Sequence, residues 1–164
     1  PEPHPSPYYL PYLLLAYDDV YGLFADPSEM LAAPYDETIP PLFDRQTAGG
    51  TINDALPSVA LDFLAPTLVE AFQADPTYPL RQRLRENDLY DWTPRAPVRL
   101  YHCAADQHVP AENSAVAFER LQQRGADVQL IDPFPEGNHG TCFAPALLAS
   151  KFWFDELSTA APAR

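Results

Sequence analysis

Two residues, thirty-three positions apart, suggest a chemistry for this sequence. Asp106 stands in "LYHCAADQHVP", where an apolar run stops and a proline follows four residues later. His139 stands in "EGNHGTC", in a glycine-flanked loop. A carboxylate that accepts from one imidazole nitrogen fixes the tautomer of the ring. It also stabilises the imidazolium formed when the other nitrogen takes a proton. Taken singly, Asp106 reads equally as a turn or helix-cap aspartate, and His139 as an ordinary loop histidine. Their order and context join them into two parts of a relay that lacks a nucleophile.

The elements that must position this pair are legible around it. "APVRLYHC" reads as a strand entered from prolines, and "VPAENSAVAFERLQQRG" as a helix stopped by Gly125. "ADVQLIDPF" reads as a second strand, "PEGNHG" as a loop, and residues 143–157 as a last helix. Phe143, Ala146, Leu147, Ser150, Phe154 and Leu157 form its stripe. A strand, a crossover helix and a strand make parallel neighbours in one sheet. Sites in such sheets form beyond the carboxyl ends of the strands, where both Asp106 and His139 fall. Asp132 also ends a strand and is the runner-up acid. Two strands cannot make a parallel sheet that helices cover on both faces, so further strands are expected from elsewhere.

Residues 1–92 do not supply them. "PYLLLAYDDVYGLF" is expected to be interrupted at Pro11 and at Asp18–Asp19. "PSEMLAAPYDETIPPLF" reads as short helices between prolines, with Ser28 as a cap and Pro40 as a break. Leu61, Leu64, Leu68 and Phe72 recur at helical spacing, and "PLRQRLREND" is a further short helix ending near Asn87. Of the 20 prolines, 15 lie in the first 97 residues, so the division is a helical region 1–92, an α/β region 93–158 and a tail 159–164. The opening "PEPHPSPYYLPY" has no initiator Met and is expected to be an internal start in a trimmed or cleaved chain. A net charge of −13 argues against nucleic acid and anionic membrane surfaces as partners. No apolar run is long enough for a membrane anchor.

The segment from Leu100 to Leu157 resembles the C-terminal part of an α/β-hydrolase, with "AADQHVP" carrying the acid and "GNHG" the histidine. More particularly, "YDDVYGLFADPSEML" and "LYDWTPRAPVRLYHC" are similar to secreted bacterial lipases and esterases with a helical cap. The resemblance implies the C-terminal part of a parallel sheet plus a mainly helical cap at 1–92. Its chain order is Ser, then Asp, then His, with the serine in Gly-x-Ser-x-Gly. The serines here, at 6, 28, 58, 114, 150 and 158, have no such glycines. The nucleophile, the oxyanion hole and the earlier strands are therefore expected on an N-terminal half of the same hydrolase, which would be its partner.

The resemblance implies Asp106 and His139 as catalytic residues and a small apolar ester as substrate, with no cofactor. His108, Asn138, Tyr17 and Asp18 are candidates for the rim of the site. A serine peptidase of the same fold, or a non-catalytic binding module, is the alternative. Cys103 lies three residues before Asp106 and Cys142 three after His139. If the acid and histidine meet, a disulfide would clamp their loops, which points to a secreted or periplasmic protein; two free thiols are the alternative. A metal site is the rival reading, because His102, Cys103, Asp106, His108, His139 and Cys142 are all ligand types. No Cys-x-x-Cys or His-Glu-x-x-His spacing supports it, and no metal is expected.

Overall fold

Proline decides where several of the N-terminal helices begin. The computed structural model describes residues 2–160, which divide into two compact units between Asn87 and Asp88. In the first unit α1 spans Tyr9–Tyr21 without a break. The interruption expected at Pro11 does not occur, because Pro11 sits in the first turn, where its missing N–H would have had no helical partner. Nor do Asp18 and Asp19 break the helix. It ends at Gly22, whose positive φ of 60° lets its N–H close on the Asp18 carbonyl at 2.7 Å. The Asp18 carboxylate then takes the Phe24 amide at 2.9 Å and turns the exit chain.

A single 3-10 turn follows at Pro27–Glu29. Its cap is Asp26, which accepts the Ser28 amide; Ser28, the cap expected from sequence, is the donor instead. The short α2, Tyr35–Thr38, gives way to a 3-10 turn at Pro40–Leu42, and α3 spans Gly49–Asp54. The Leu61–Phe72 repeat is not one helix. Leu61 lies in a 3-10 turn at Ala60–Asp62, and α4 spans Pro66–Ala74 with proline at its first position. The same device starts α5, Pro79–Glu86, which Asn87 caps. Between them these elements bury Leu14, Met30, Leu31, Ile39, Phe63, Leu68 and Leu80 in one core.

The second unit is α/β. Strand β1, Val98–Tyr101, pairs in parallel with β2, Val128–Ile131, in the register Val98 to Val128 through Tyr101 to Ile131. Helix α6, Ala111–Gln123, connects them and packs on both strands, with Leu121 buried beneath it. Gly125, at φ 81°, turns the chain back into β2. Among the described residues the sheet has these two strands.

Helix α7 spans His139–Ala160, four residues earlier than the periodicity predicts. Thr159 is therefore helical, and residues 161–164 of the expected tail lie outside the described residues. The expected stripe is not packed within this unit: Phe143 is 70% exposed, and Leu147 and Phe154 are exposed beside it. Leu148 and Phe152, on the opposite side of the helix, are exposed too. Trp153 is held against β1 by the Arg99 guanidinium, 5.0 Å over its ring.

Phe63 is completely buried and meets the Tyr35 ring edge-on at 6.4 Å. Phe63→Ala is expected to destabilise the first unit by about 3–5 kcal/mol. Urea unfolding followed by tyrosine fluorescence measures the loss.

Candidate active site

Because β1 and β2 are parallel neighbours, their carboxyl ends open onto one rim, and each feeds a loop that is folded back by local hydrogen bonds. After β1, the Asp106 amide closes a turn on the Cys103 carbonyl at 3.0 Å. The Asp106 side chain then bonds its own loop: Oδ1 accepts the amides of His108 at 2.8 Å and Val109 at 3.0 Å. After β2, the Gly137 amide closes on the Phe134 carbonyl at 2.8 Å. A Cβ on Gly137 would come within 2.7 Å of the Phe134 ring, so only glycine allows this approach.

Asn138 and Thr141 then start α7 by reciprocal capping. The Asn138 Oδ1 accepts the Thr141 amide at 3.0 Å, and the Thr141 hydroxyl accepts the Asn138 amide at 2.9 Å. His139 is consequently the first residue of a helix rather than a loop histidine, which corrects the expectation. The signal was present as Asn-x-x-Thr, a capping pair with threonine in the place usually held by Glu or Gln.

The two loops meet at the Asp106 and His139 side chains. His139 Nδ1 lies 2.8 Å from Asp106 Oδ2. Desolvation raises the pKa of this carboxyl, whose side chain is only 9% exposed. The Val109 amide, the His139 ring and the His108 amide lower it by more, and it settles at about 2. The carboxylate is thus ionised and can only accept, so Nδ1 carries the hydrogen, and in the neutral form of the ring the lone pair lies on Nε2. The His139 side chain is 44% exposed. The His108 ring stacks on it with centroids 5.0 Å apart and planes inclined by 19°.

Cys103 and Cys142 are joined by a disulfide between Cα atoms 5.8 Å apart, both residues buried. Asp132, the runner-up acid, is engaged elsewhere. Its Oδ2 takes the Ala104 amide at 3.1 Å, which ties the two strand ends together, and its Oδ1 takes the Phe134 amide at 3.0 Å within the turn after β2. His102 makes a second tie that the sequence reading missed. Its Nε2 donates to the Val109 carbonyl at 3.1 Å, and its Nδ1 accepts the Ser114 hydroxyl at 2.8 Å. This serine–histidine pair is a brace between the acid loop and α6, since both ring nitrogens are committed. Among the described residues no three His, Cys, Asp or Glu side chains gather to hold a metal. Tyr17 and Asp18 belong to the first unit, where Tyr17 packs on Tyr21 at 5.5 Å and Asp18 braces the end of α1.

No known family model matches this chain, and no curated protein does. Solved structures do. The chain is similar to LipA, a rice cell wall degrading esterase from Xanthomonas oryzae, at 29% identity and a TM-score of 0.67; the match covers 83% of this chain and 37% of LipA. It is also similar to a Legionella pneumophila protein named for an inferred hydrolase activity, at 23% identity and a TM-score of 0.82, covering 96% of this chain and 42% of that one. These likenesses show an α/β-hydrolase-like fold. The chain spans well under half the length of either structure.

Two measurements follow from this geometry. The Asp106 pKa is lower folded than unfolded, so its stabilising contribution is complete above about pH 4 and is lost as pH falls through about 2. Unfolding midpoints taken between about pH 5 and pH 2 should fall more steeply for the native protein than for Asp106→Asn. Replacing both cysteines by serine opens a loop with a sequence separation of 39. That change should cost on the order of 3–4 kcal/mol by chemical denaturation.

Proposed function

We propose that this chain supplies the acid and the base of a serine carboxylic ester hydrolase. The observation that carries the reading is the hydrogen bond from His139 Nδ1 to an ionised Asp106 at 2.8 Å, with Nε2 left to take a proton. His139 would accept the proton of an attacking serine and return it to the leaving alcohol, while Asp106 orients the ring and stabilises the imidazolium. An acyl-enzyme forms, and water activated by the same histidine releases the acid. The likeness to an esterase structure favours an ester over a peptide.

The serine is proposed to lie on an N-terminal part of the same hydrolase, in a Gly-x-Ser-x-Gly elbow with its oxyanion hole. Two observations support that partner. A helix with apolar residues on opposite sides, as in α7, suits the interior of a larger body. Both solved neighbours are also more than twice the length of this chain. In this reading residues 1–92 are the helical cap region of the hydrolase. His108 and Asn138 are proposed to line the rim of the site, Tyr17 and Asp18 are polar candidates of the cap region, and the substrate is a small apolar ester that needs no cofactor. A disulfide that persists suits an oxidising compartment, so the protein is proposed to be secreted or periplasmic. No helix among the described residues is long and apolar enough to cross a membrane.

The test is hydrolysis of p-nitrophenyl esters by the native protein, with intact mass measured for every polypeptide in the sample. A fluorophosphonate probe should label one serine, in a Gly-x-Ser-x-Gly sequence. His139→Ala should lower kcat by roughly 10⁴-fold. Native turnover and native labelling in His139→Ala would sink the assignment of the base.

A further inference from the structure

We propose that His108 is a positioning residue that fixes the plane of the His139 ring. The inference rests on the reading of His139 as the general base and adds a part to it. A single hydrogen bond from Nδ1 to Asp106 anchors one point of the imidazole. That one bond is all that opposes rotation of the ring about its Cβ–Cγ bond from this edge, and 44% of the His139 side chain is open to solvent. Proton transfer at Nε2 needs the lone pair aimed, and a pivot of the ring swings that lone pair away from the serine.

The face of the His108 ring supplies the missing constraint, lying nearly parallel to His139 with centroids 5.0 Å apart. His108 is itself held by the carboxylate that His139 bonds: its amide donates to Asp106 Oδ1 at 2.8 Å, while His139 uses Oδ2. One carboxylate thus sets both the edge anchor of the base and the backbone that carries its stacking partner. The polypeptide of the histidine loop has other supports, namely the disulfide and the Asn138–Thr141 cap. Neither of these supports passes through the His108 ring, so the path of the histidine loop keeps both when that ring is removed. The His108 amide, which binds Asp106, survives any side-chain substitution at this position.

The experiment compares His108→Ala, His108→Gln and His108→Phe in the full native protein. It reads kcat and KM for a p-nitrophenyl ester, and the low-field proton NMR signal of the His139 Nδ1–H. His108→Ala and His108→Gln should lower kcat by about three- to tenfold, the scale of one aromatic pair, with KM within about twofold. Both should broaden or lose the Nδ1–H signal. His108→Phe, which keeps a flat ring, should restore kcat and the signal. If alanine does not give folded protein by circular dichroism, glutamine serves alone as the ring-deleted variant. An unchanged kcat and signal in the ring-deleted variants overturns the proposal. So does a phenylalanine variant as impaired as glutamine, since the polar ring atoms would then matter and not the stack. The NMR signal reports ring order whether or not His139 is the base. Failure of that base assignment shows separately, as native turnover in His139→Ala.

Discussion

The arrangement of the second unit depends on holding two loop ends within the reach of one hydrogen bond. Parallel pairing brings the carboxyl ends of β1 and β2 to the same rim, but strands alone leave the following loops free to part. Three ties draw them together. Asp132 links the strand ends by accepting the Ala104 amide. The disulfide joins the residue that opens the acid turn to the first turn of α7. The 2.8 Å contact between His139 and Asp106 is the third, and the other two lower the entropic cost of forming it.

Asp106 shows how a carboxylate can be kept ionised in a nearly solvent-free position. Its desolvation is offset by two backbone amides and an imidazole, spread over both oxygens. The amides come from the residues just after it, so the loop sequence Asp-Gln-His-Val solvates its own acid. His102 supports the same loop from below through the Val109 carbonyl, and Ser114 fixes the His102 ring from α6. The acid is thus set by short-range chemistry, and the histidine is brought to it by long-range ties.

Much of this was legible in the residues because it rests on local rules. Apolar runs ending at turn residues marked both strands, and Gly125 marked the end of the α6 segment. What was not legible depended on position within an element. Pro11 looked like a breaker and is harmless, because it falls in a first turn. Ser28 looked like a cap, but the acceptor that suits the turn is two residues earlier, at Asp26. The start of α7 is hard to read from sequence, because two glycines and a histidine suggest a loop while Asn138 and Thr141 together cap a helix. The His102–Ser114 bond and the bond from the Ala104 amide to Asp132 had no sequence signal at all. They are contacts across 12 to 28 residues whose partners are known only once the strands are paired.

The disulfide has a further consequence for the covalent shape of the chain. Cys103 and Cys142 close the backbone between them into a ring that contains β2, α6, Asp106 and His139. A linear polypeptide cut at one place falls into two pieces, whereas a ring cut once remains a single piece. A protease that nicks the exposed turn between α6 and β2 would leave the carboxylate and the imidazole on one molecule. Their separation in space would still be governed by the sulfur bridge close to both. The carboxylate–imidazole pair is therefore insulated from a single break anywhere in the chain that separates its two members.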